Sequence, residues 1–217
     1  MGNENQGPEG RYAHKLHTLE KFAYPGGTVP RPTSNKNNLR IYAHNLCPFS
    51  GRAIYAMSAK RISFQEVFVD LNNLAEWYAP MTASGCDPCI ENASGDIVPG
   101  EGVVANFAEE MGLGRGIELF PSDPFEAADL EVAMARFDKI VSPLFQCYLT
   151  RFENDEKIDK FVNELLPKFE KMAAEAGDKW LWGTDEVTYY DFYVGSVWEF
   201  LYCFKDAPAL ADGFNKI

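Results

Sequence analysis

Between Leu39 and Leu71 the chain runs strand, helix, strand with short joins, and that order requires the two strands to pair in parallel. Leu39 to Ala43 (LRIYA) is a short β-rich run. Cys47 follows, and Pro48 stands where a proline suits a first helical turn. Ala53, Ile54, Ala56 and Met57 then lay a partly apolar stripe at helical spacing. Phe64 to Leu71 is the second strand, and Leu74 to Met81 is predicted as a short helix ended by the Thr82–Gly85 segment. Cys89-Ile90-Glu91 and Ile97-Val98 flank the turn signal Asn92–Asp96 and read as a hairpin. Glu101 to Met111 is a helix with Gly112 as its left-handed stop. The order βαβα, then ββα, gives one sheet with a parallel part and an antiparallel edge.

Everything after a linker at residues 113–121 is helical. Asp123-Pro124 opens a long helix carrying Leu130, Ala133, Met134, Phe137, Ile140 and Val141, with a kink expected at Pro143. A second runs from about Asp155 to Ala176, with Pro167 inside and Gly177 closing it. Thr188-Tyr189-Tyr190-Asp191 resembles a capping box ahead of the apolar run Phe192–Phe204. Residues 1–37 are rich in Gly, Pro, Asn and Lys and read as a polar leader with little regular structure. The expected plan is the leader 1–37, an α/β domain at 38–112, the linker 113–121 and an all-α helical domain at 122–217.

Charge and composition remove several classes of function. Lys and Arg number 20 against 32 Asp and Glu, a formal charge of -12. A nucleic-acid binder needs a positive face to displace counterions, so none is expected, and docking on anionic lipid is disfavoured for the same reason. No apolar run approaches the ~20 residues of a membrane span, and the polar start holds no secretory core. Five scattered cysteines do not form a disulfide framework, which points to a reducing, cytoplasmic compartment. Of three histidines, His14 and His17 lie in the leader, where solvation is the plainer reading than half a metal site. That leaves His44 alone in the folded body, so a His-rich zinc site cannot be assembled.

Chemistry therefore falls to cysteine. Cys47 sits between the first strand and first helix, facing the N–H groups and positive dipole end of the helix start. Cysteines so placed have pKa values lowered from ~8.5 to roughly 3.5–7.5, and the thiolate attacks disulfide sulfur. The plainer alternative is a small buried filler. Arg52, one turn on, either adds positive charge or points to solvent, and His44 is either a proton donor to the sulfur or an ordinary loop residue.

Leu39-Arg40-Ile41-Tyr42, Cys47-Pro48-Phe49-Ser50, Val69-Asp70-Leu71, Glu76-Trp77, Pro88, Glu91-Asn92 and Glu101 resemble the glutathione transferases, most closely the omega class. Val29-Pro30 is similar to that class's proline-containing N-terminal extension, and Trp182-Gly183 and the Thr188–Asp191 cap carry the helical half. The CPFS tetrad also occurs in plant dehydroascorbate reductases and chloride intracellular channel proteins of the same fold. The resemblance runs from about residue 25 to 206 and implies a thioredoxin-like N-terminal domain joined to the all-α domain. It implies a glutathione-dependent thiol transferase or dehydroascorbate reductase with Cys47 as nucleophile and glutathione as co-substrate, without a metal. Partners would be glutathione and a small oxidised or electrophilic substrate or a glutathionylated protein; a homodimer is compatible with this reading. Phe49 would lie beside the sulfur and Leu71 would line the groove. Pro88 matches the cis-proline whose predecessor, Asp87, pairs its backbone with the cysteinyl part of glutathione. Glu101 and Gly102 match the pair receiving the γ-glutamyl amine and carboxylate, which also makes sense as a helix N-terminus with an acid beside it.

The departures are specific. Gly102 replaces a usual serine and forgoes a hydroxyl hydrogen bond worth ~0.5–1.5 kcal/mol. Leu74 stands where the omega class often has a lysine for the glycyl carboxylate, and Asp87 sets a carboxylate near the sulfur, opposing the thiolate. The chain ends at Ile217, short of the family's usual last helices. Two other readings stay open: a non-enzymatic glutathione-binding or scaffold protein, and a channel-type relative. Cys86-Asp87-Pro88-Cys89 has the C-x-x-C spacing of redox motifs, so Cys86 or Cys89 is either a resolving thiol for Cys47 or core packing.

Overall fold

The structure, a computed structural model, describes residues 22–24, 30–32, 39–44, 46–71, 73–82, 88–149 and 155–203. The chain divides into two compact units, residues 1–116 and 117–217.

The first unit is a five-stranded mixed sheet with helices. Its strands are β1 (Phe22–Tyr24), β2 (Leu39–Ala43), β3 (Phe64–Val69), β4 (Cys89–Glu91) and β5 (Ile97–Pro99), in spatial order β1-β3-β2-β4-β5. β1 and β2 both run parallel to β3, in register Ala23↔Phe68 and Ile41↔Glu66. β4 turns antiparallel against β2 (Ile41↔Ile90), and β5 against β4 (Ile90↔Val98). Helix α1 (Pro48–Ala59) links β2 to β3 and packs against α2 (Glu101–Met111). The strands' two-residue alternation puts Tyr42, Val67, Val69 and Cys89 on one face, in a buried cluster with Ala75 and Tyr78. Tyr42, Trp77 and Tyr78 meet there ring against ring at 5.6–6.1 Å.

Three local features differ from the sequence reading. The leader contributes β1, which supplies backbone partners to what would otherwise be the open edge of β3. The helix expected over Leu74–Met81 is a series of turns with one 3₁₀ turn, Ala79–Met81. Pro80 removes a donor and Tyr78 and Ala75 anchor the segment to the sheet, so a regular helix gains nothing there. Gly112 has φ -97° and is no left-handed stop. It is required by packing, because a β-carbon there would lie 2.6 Å from that of Lys60. The left-handed turns come later, at Gly114 and Gly116, and at Gly116 a β-carbon would overlap the carbonyl oxygen of Ala59. Buried Lys60 also pairs with Glu109 at 3.0 Å, tying the end of α1 to α2.

The second unit is helical: α3 (Pro124–Leu149), α4 (Asp155–Lys160), α5 (Leu166–Ala176) and α6 (Tyr189–Cys203). Asp123 caps α3, its Oδ1 accepting from the N–H groups of Phe125 and Glu126. α3 continues through Pro143. Between α4 and α5 the ladder widens to a π turn at Phe161–Leu165, which sets Pro167 in the opening turn of α5, where its missing N–H costs nothing. Gly177, at φ 59°, ends α5. Phe137 is the centre of the core, edge-on to Phe169 at 5.4 Å and near Tyr190 and Tyr193. The reciprocal half of the expected capping box forms at α6: the Thr188 N–H donates to Asp191 Oδ2 at 2.8 Å, while the Thr188 hydroxyl donates to the same oxygen at 3.1 Å and the Asp191 N–H goes to the Thr188 carbonyl at 3.2 Å. Asp191 Oδ1 also accepts from the N–H of Leu181 at 2.8 Å.

Candidate active site

Cys47 is the N-cap residue of α1, with extended backbone angles (φ -98°, ψ 116°), and is half-buried. It lies just past the end of β2, at the carboxyl edge of the parallel strands, where open α/β sheets bind their ligands. The loop before it is fixed by local bonds. The Cys47 N–H donates to the His44 carbonyl at 3.1 Å, and the Gly51 N–H returns to the Cys47 carbonyl at 3.0 Å. The His44 N–H donates to buried Ser50 Oγ at 3.0 Å. The Leu46 N–H donates to His44 Nδ1 at 3.2 Å, so the imidazole acts as an acceptor there. Burial pushes the His44 pKa below its ordinary 6.5, against a smaller opposite effect of Asp70. His44 thereby staples the loop through its Nδ1.

Arg52 does not reach solvent. It is wholly buried, stacks its guanidinium 5.0 Å from the centroid of the Phe49 ring, and pairs Nη1 with Glu101 Oε1 at 3.3 Å. Phe49, two residues after Cys47, is half-buried, and Glu101 is the first residue of α2, its side chain 22% exposed. The structure thus brings two of the residues singled out from sequence, Phe49 and Glu101, to one cation, the first at its face and the second at its edge. α2 starts there because Gly100 takes φ 99°, a conformation that favours glycine, and its N–H donates to the carbonyl of Pro88 at 2.8 Å. Pro88, buried at the start of β4, is therefore tied to the head of the same helix. Gly102 follows on the exposed side, with nothing within 4 Å of a β-carbon built on it.

The remaining candidates make other contacts. Leu71 and Leu74 are half-buried and pack on the Tyr42–Tyr78 cluster. Cys89 is fully buried within that cluster, an apolar setting that disfavours the thiolate a resolving thiol needs. Cys86, Asp87, His14 and His17 lie outside the described residues, and with Asp87 the expected cis bond to Pro88. One constellation escaped the sequence reading. Glu91, 2% exposed, accepts from Tyr42 Oη at 2.6 Å, Arg40 Nη1 at 3.2 Å and Arg31 Nη2 at 2.6 Å. Arg40 also reaches Gln65 and the carbonyl of Pro32. Burial, then the bond to Glu91, raises the Tyr42 pKa. The cross-strand register Arg40↔Glu91 is the signal that finds it, once β2 and β4 are known to pair. It pins the Pro30–Pro32 segment to the sheet. Among the described residues no group of three or more His, Cys, Asp or Glu is arranged to hold a metal ion, and no helix is long and apolar enough to cross a membrane.

Known proteins share the sequence pattern and the fold. Residues 132–217 match the family model of the glutathione S-transferase C-terminal domain. Glutathione S-transferase omega-1 of Sus scrofa is 29% identical over 155 residues, 71% of this chain and 61% of that protein. Glutathione S-transferase omega-2 of Rattus norvegicus is 26% identical over 201 residues, 91% of this chain and 75% of its own length. The chain spans about three fifths of the omega-1 relatives it matches. Among solved structures, glutathione transferase Omega 3C from Trametes versicolor superposes with a TM-score of 0.64 at 18% identity, covering 83% of this chain and 73% of that one. A glutathione S-transferase from Rhodospirillum rubrum F11 gives 0.62 at 18% identity, covering 79% and 90%. The fold is that of the glutathione transferases, a thioredoxin-like α/β unit and an all-α unit, and the sequence resemblance to the omega class stands.

Proposed function

We propose that this chain is a glutathione-dependent thiol transferase, with dehydroascorbate reduction as a further reaction of the same site, and that Cys47 is its nucleophile. The supporting observation is the place of Cys47: half-buried, at the head of α1, on a loop locked by His44 and Ser50. A helix start favours thiolate over thiol, and a thiolate is what attacks disulfide sulfur. In the first step the Cys47 thiolate attacks the glutathione sulfur of a mixed disulfide. The substrate leaves as a thiolate and takes a proton from water, and Cys47 is left bonded to glutathione. In the second step the thiolate of another glutathione attacks that glutathione's sulfur, giving oxidised glutathione and restoring Cys47. The sum is one substrate–glutathione mixed disulfide and one glutathione converted to the substrate thiol and oxidised glutathione, with no outside oxidant. Glutathione would lie with its cysteinyl part near Asp87 and Pro88, Phe49 and Leu71 along the groove, and its γ-glutamyl end at Glu101 and Gly102.

The residues also say what this site would lack. With Gly102 in place of a serine and Leu74 packed in an apolar cluster where a lysine would serve the glycyl carboxylate, glutathione binding loses two polar contacts. A glutathione-binding protein without turnover is the second reading, and that packing of Leu74 is the observation in its favour. Cys47→Ala decides between the two. With a glutathionylated peptide and excess glutathione, the enzyme reading expects turnover to vanish while glutathione binding persists. Full turnover in the variant would remove Cys47 from the mechanism, and a wild-type chain that binds glutathione without reducing the peptide would establish the second reading.

A further inference from the structure

Arg52 heads the fully buried side chains by size among the described residues, and it touches Phe49 and Glu101, two of the residues assigned to the proposed groove. Its ring-stacked face lies over Phe49, two residues after Cys47, and its Nη1 edge meets Glu101 at the start of α2. Taking a guanidinium wholly out of water is costly, and the pair with Glu101 and the stack on Phe49 offset part of that cost. The planar guanidinium suits both at once, since its face stacks and its edge pairs, which an ammonium cannot do together. Glu101 presents two oxygens with about four acceptor positions. Fixing Oε1 against Arg52 sets the plane in which the rest of the carboxylate is offered at the helix start.

We propose that Arg52 is a positioning residue for recognition of the γ-glutamyl group: braced on the Phe49 ring, it aims Glu101 at the amine of that group. This rests on the glutathione reading above and goes beyond it, because it assigns selectivity for the γ-glutamyl end to a residue that does not itself touch the substrate. Loss of Arg52 then disables discrimination between thiols and leaves the reactivity of Cys47 in place.

The test compares two reducing thiols, glutathione and cysteinylglycine, which lacks the γ-glutamyl group. Each is used to discharge the Cys47 mixed disulfide in the wild-type chain, Arg52→Gln and Arg52→Lys. The expected outcome for Arg52→Gln is a glutathione KM raised about 10- to 100-fold, as for a lost charge-assisted contact. The cysteinylglycine KM rises less than about threefold, and the rate of Cys47 alkylation by iodoacetamide keeps its pH profile. Arg52→Lys keeps the pairing and loses the stack, and recovers part of the preference. In a Glu101→Gln background, Arg52→Gln adds no further loss of preference, as two residues acting as one unit require. Equal losses for both thiols, or an altered alkylation profile, would make Arg52 merely structural and overturn the proposal. An unchanged glutathione KM in either variant would overturn it as well, and if Arg52→Gln does not fold, Arg52→Lys alone decides by the same ratio. A wild-type chain with no preference for glutathione over cysteinylglycine would overturn this proposal together with the glutathione reading, whereas a preference that survives in both variants overturns the role of Arg52 alone.

Discussion

Replacing Asp191 by alanine should destabilise the helical unit by about 3–5 kcal/mol. Its Oδ1 accepts from the Leu181 N–H, and its Oδ2 from the N–H and hydroxyl of Thr188, all within 2.8–3.1 Å. Bonds to a charged acceptor are worth ~1.5–3 kcal/mol each, so a plain sum would be ~4.5–9 kcal/mol. That sum overshoots, because the three share one carboxylate and water can satisfy part of the vacated loop. Urea unfolding followed by tryptophan emission reads the effect, since Trp180, Trp182 and Trp198 lie in the helical unit and Trp77 alone in the other. At a typical urea slope of ~1–3 kcal/mol/M, the midpoint should fall by about 1–5 M with the slope unchanged. Asp191→Asn keeps one acceptor oxygen and turns an amide donor toward another donor, so it should fall between wild type and alanine. A loss below about 1 kcal/mol for the alanine variant would show that the cap does not hold the Leu181 loop to α6.

Two further outcomes concern the α/β unit. His44 has its pKa lowered by burial, so the unfolded chain binds the proton more readily than the folded one. Its contribution to stability is fully present above the ordinary 6.5 and is lost as pH falls through the lower folded value. In His44→Asn, whose side-chain oxygen can accept the Leu46 N–H without titrating, the urea midpoint reported by Trp77 should depend less on pH between about 5 and 7; identical slopes would refute the assignment. Gly102→Ser adds a hydroxyl where nothing lies within 4 Å of the new β-carbon. Glutathione affinity measured by calorimetry should rise about 2- to 10-fold, and a fall would mean that the γ-glutamyl carboxylate is not received there.

The sheet was legible because its signals are local. LRIYA, FQEVFV and the Asn92–Asp96 turn each announce themselves within a few residues, and Pro48 marks the head of α1. The Thr188–Asp191 cap was legible for the same reason. What escaped depends on partners far along the chain. The direction of Arg52 is set by Glu101, on a helix that arrives only after the hairpin, and nothing in the α1 sequence tells a buried arginine from a solvated one. Glu91 gathers Arg31, Arg40 and Tyr42 from three segments, so its cluster exists only once β2 and β4 pair. Phe22–Tyr24 is too short to show alternation, and an adjoining strand makes it β. Gly112 looked like a turn residue but is glycine because Lys60 leaves no room for more.

The strand that delivers Cys47 is the middle one of five, bonded to β3 on one side and β4 on the other, with Ile41, Tyr42 and Ala43 sealed from solvent. Backbone amides in such a place exchange only when the whole unit opens. A sulfur mounted at the end of that strand stays put while shallower parts of the surface breathe. Adjustment to differently shaped disulfides must therefore come from the surroundings, and the incoming molecule has to bring its sulfur to the protein.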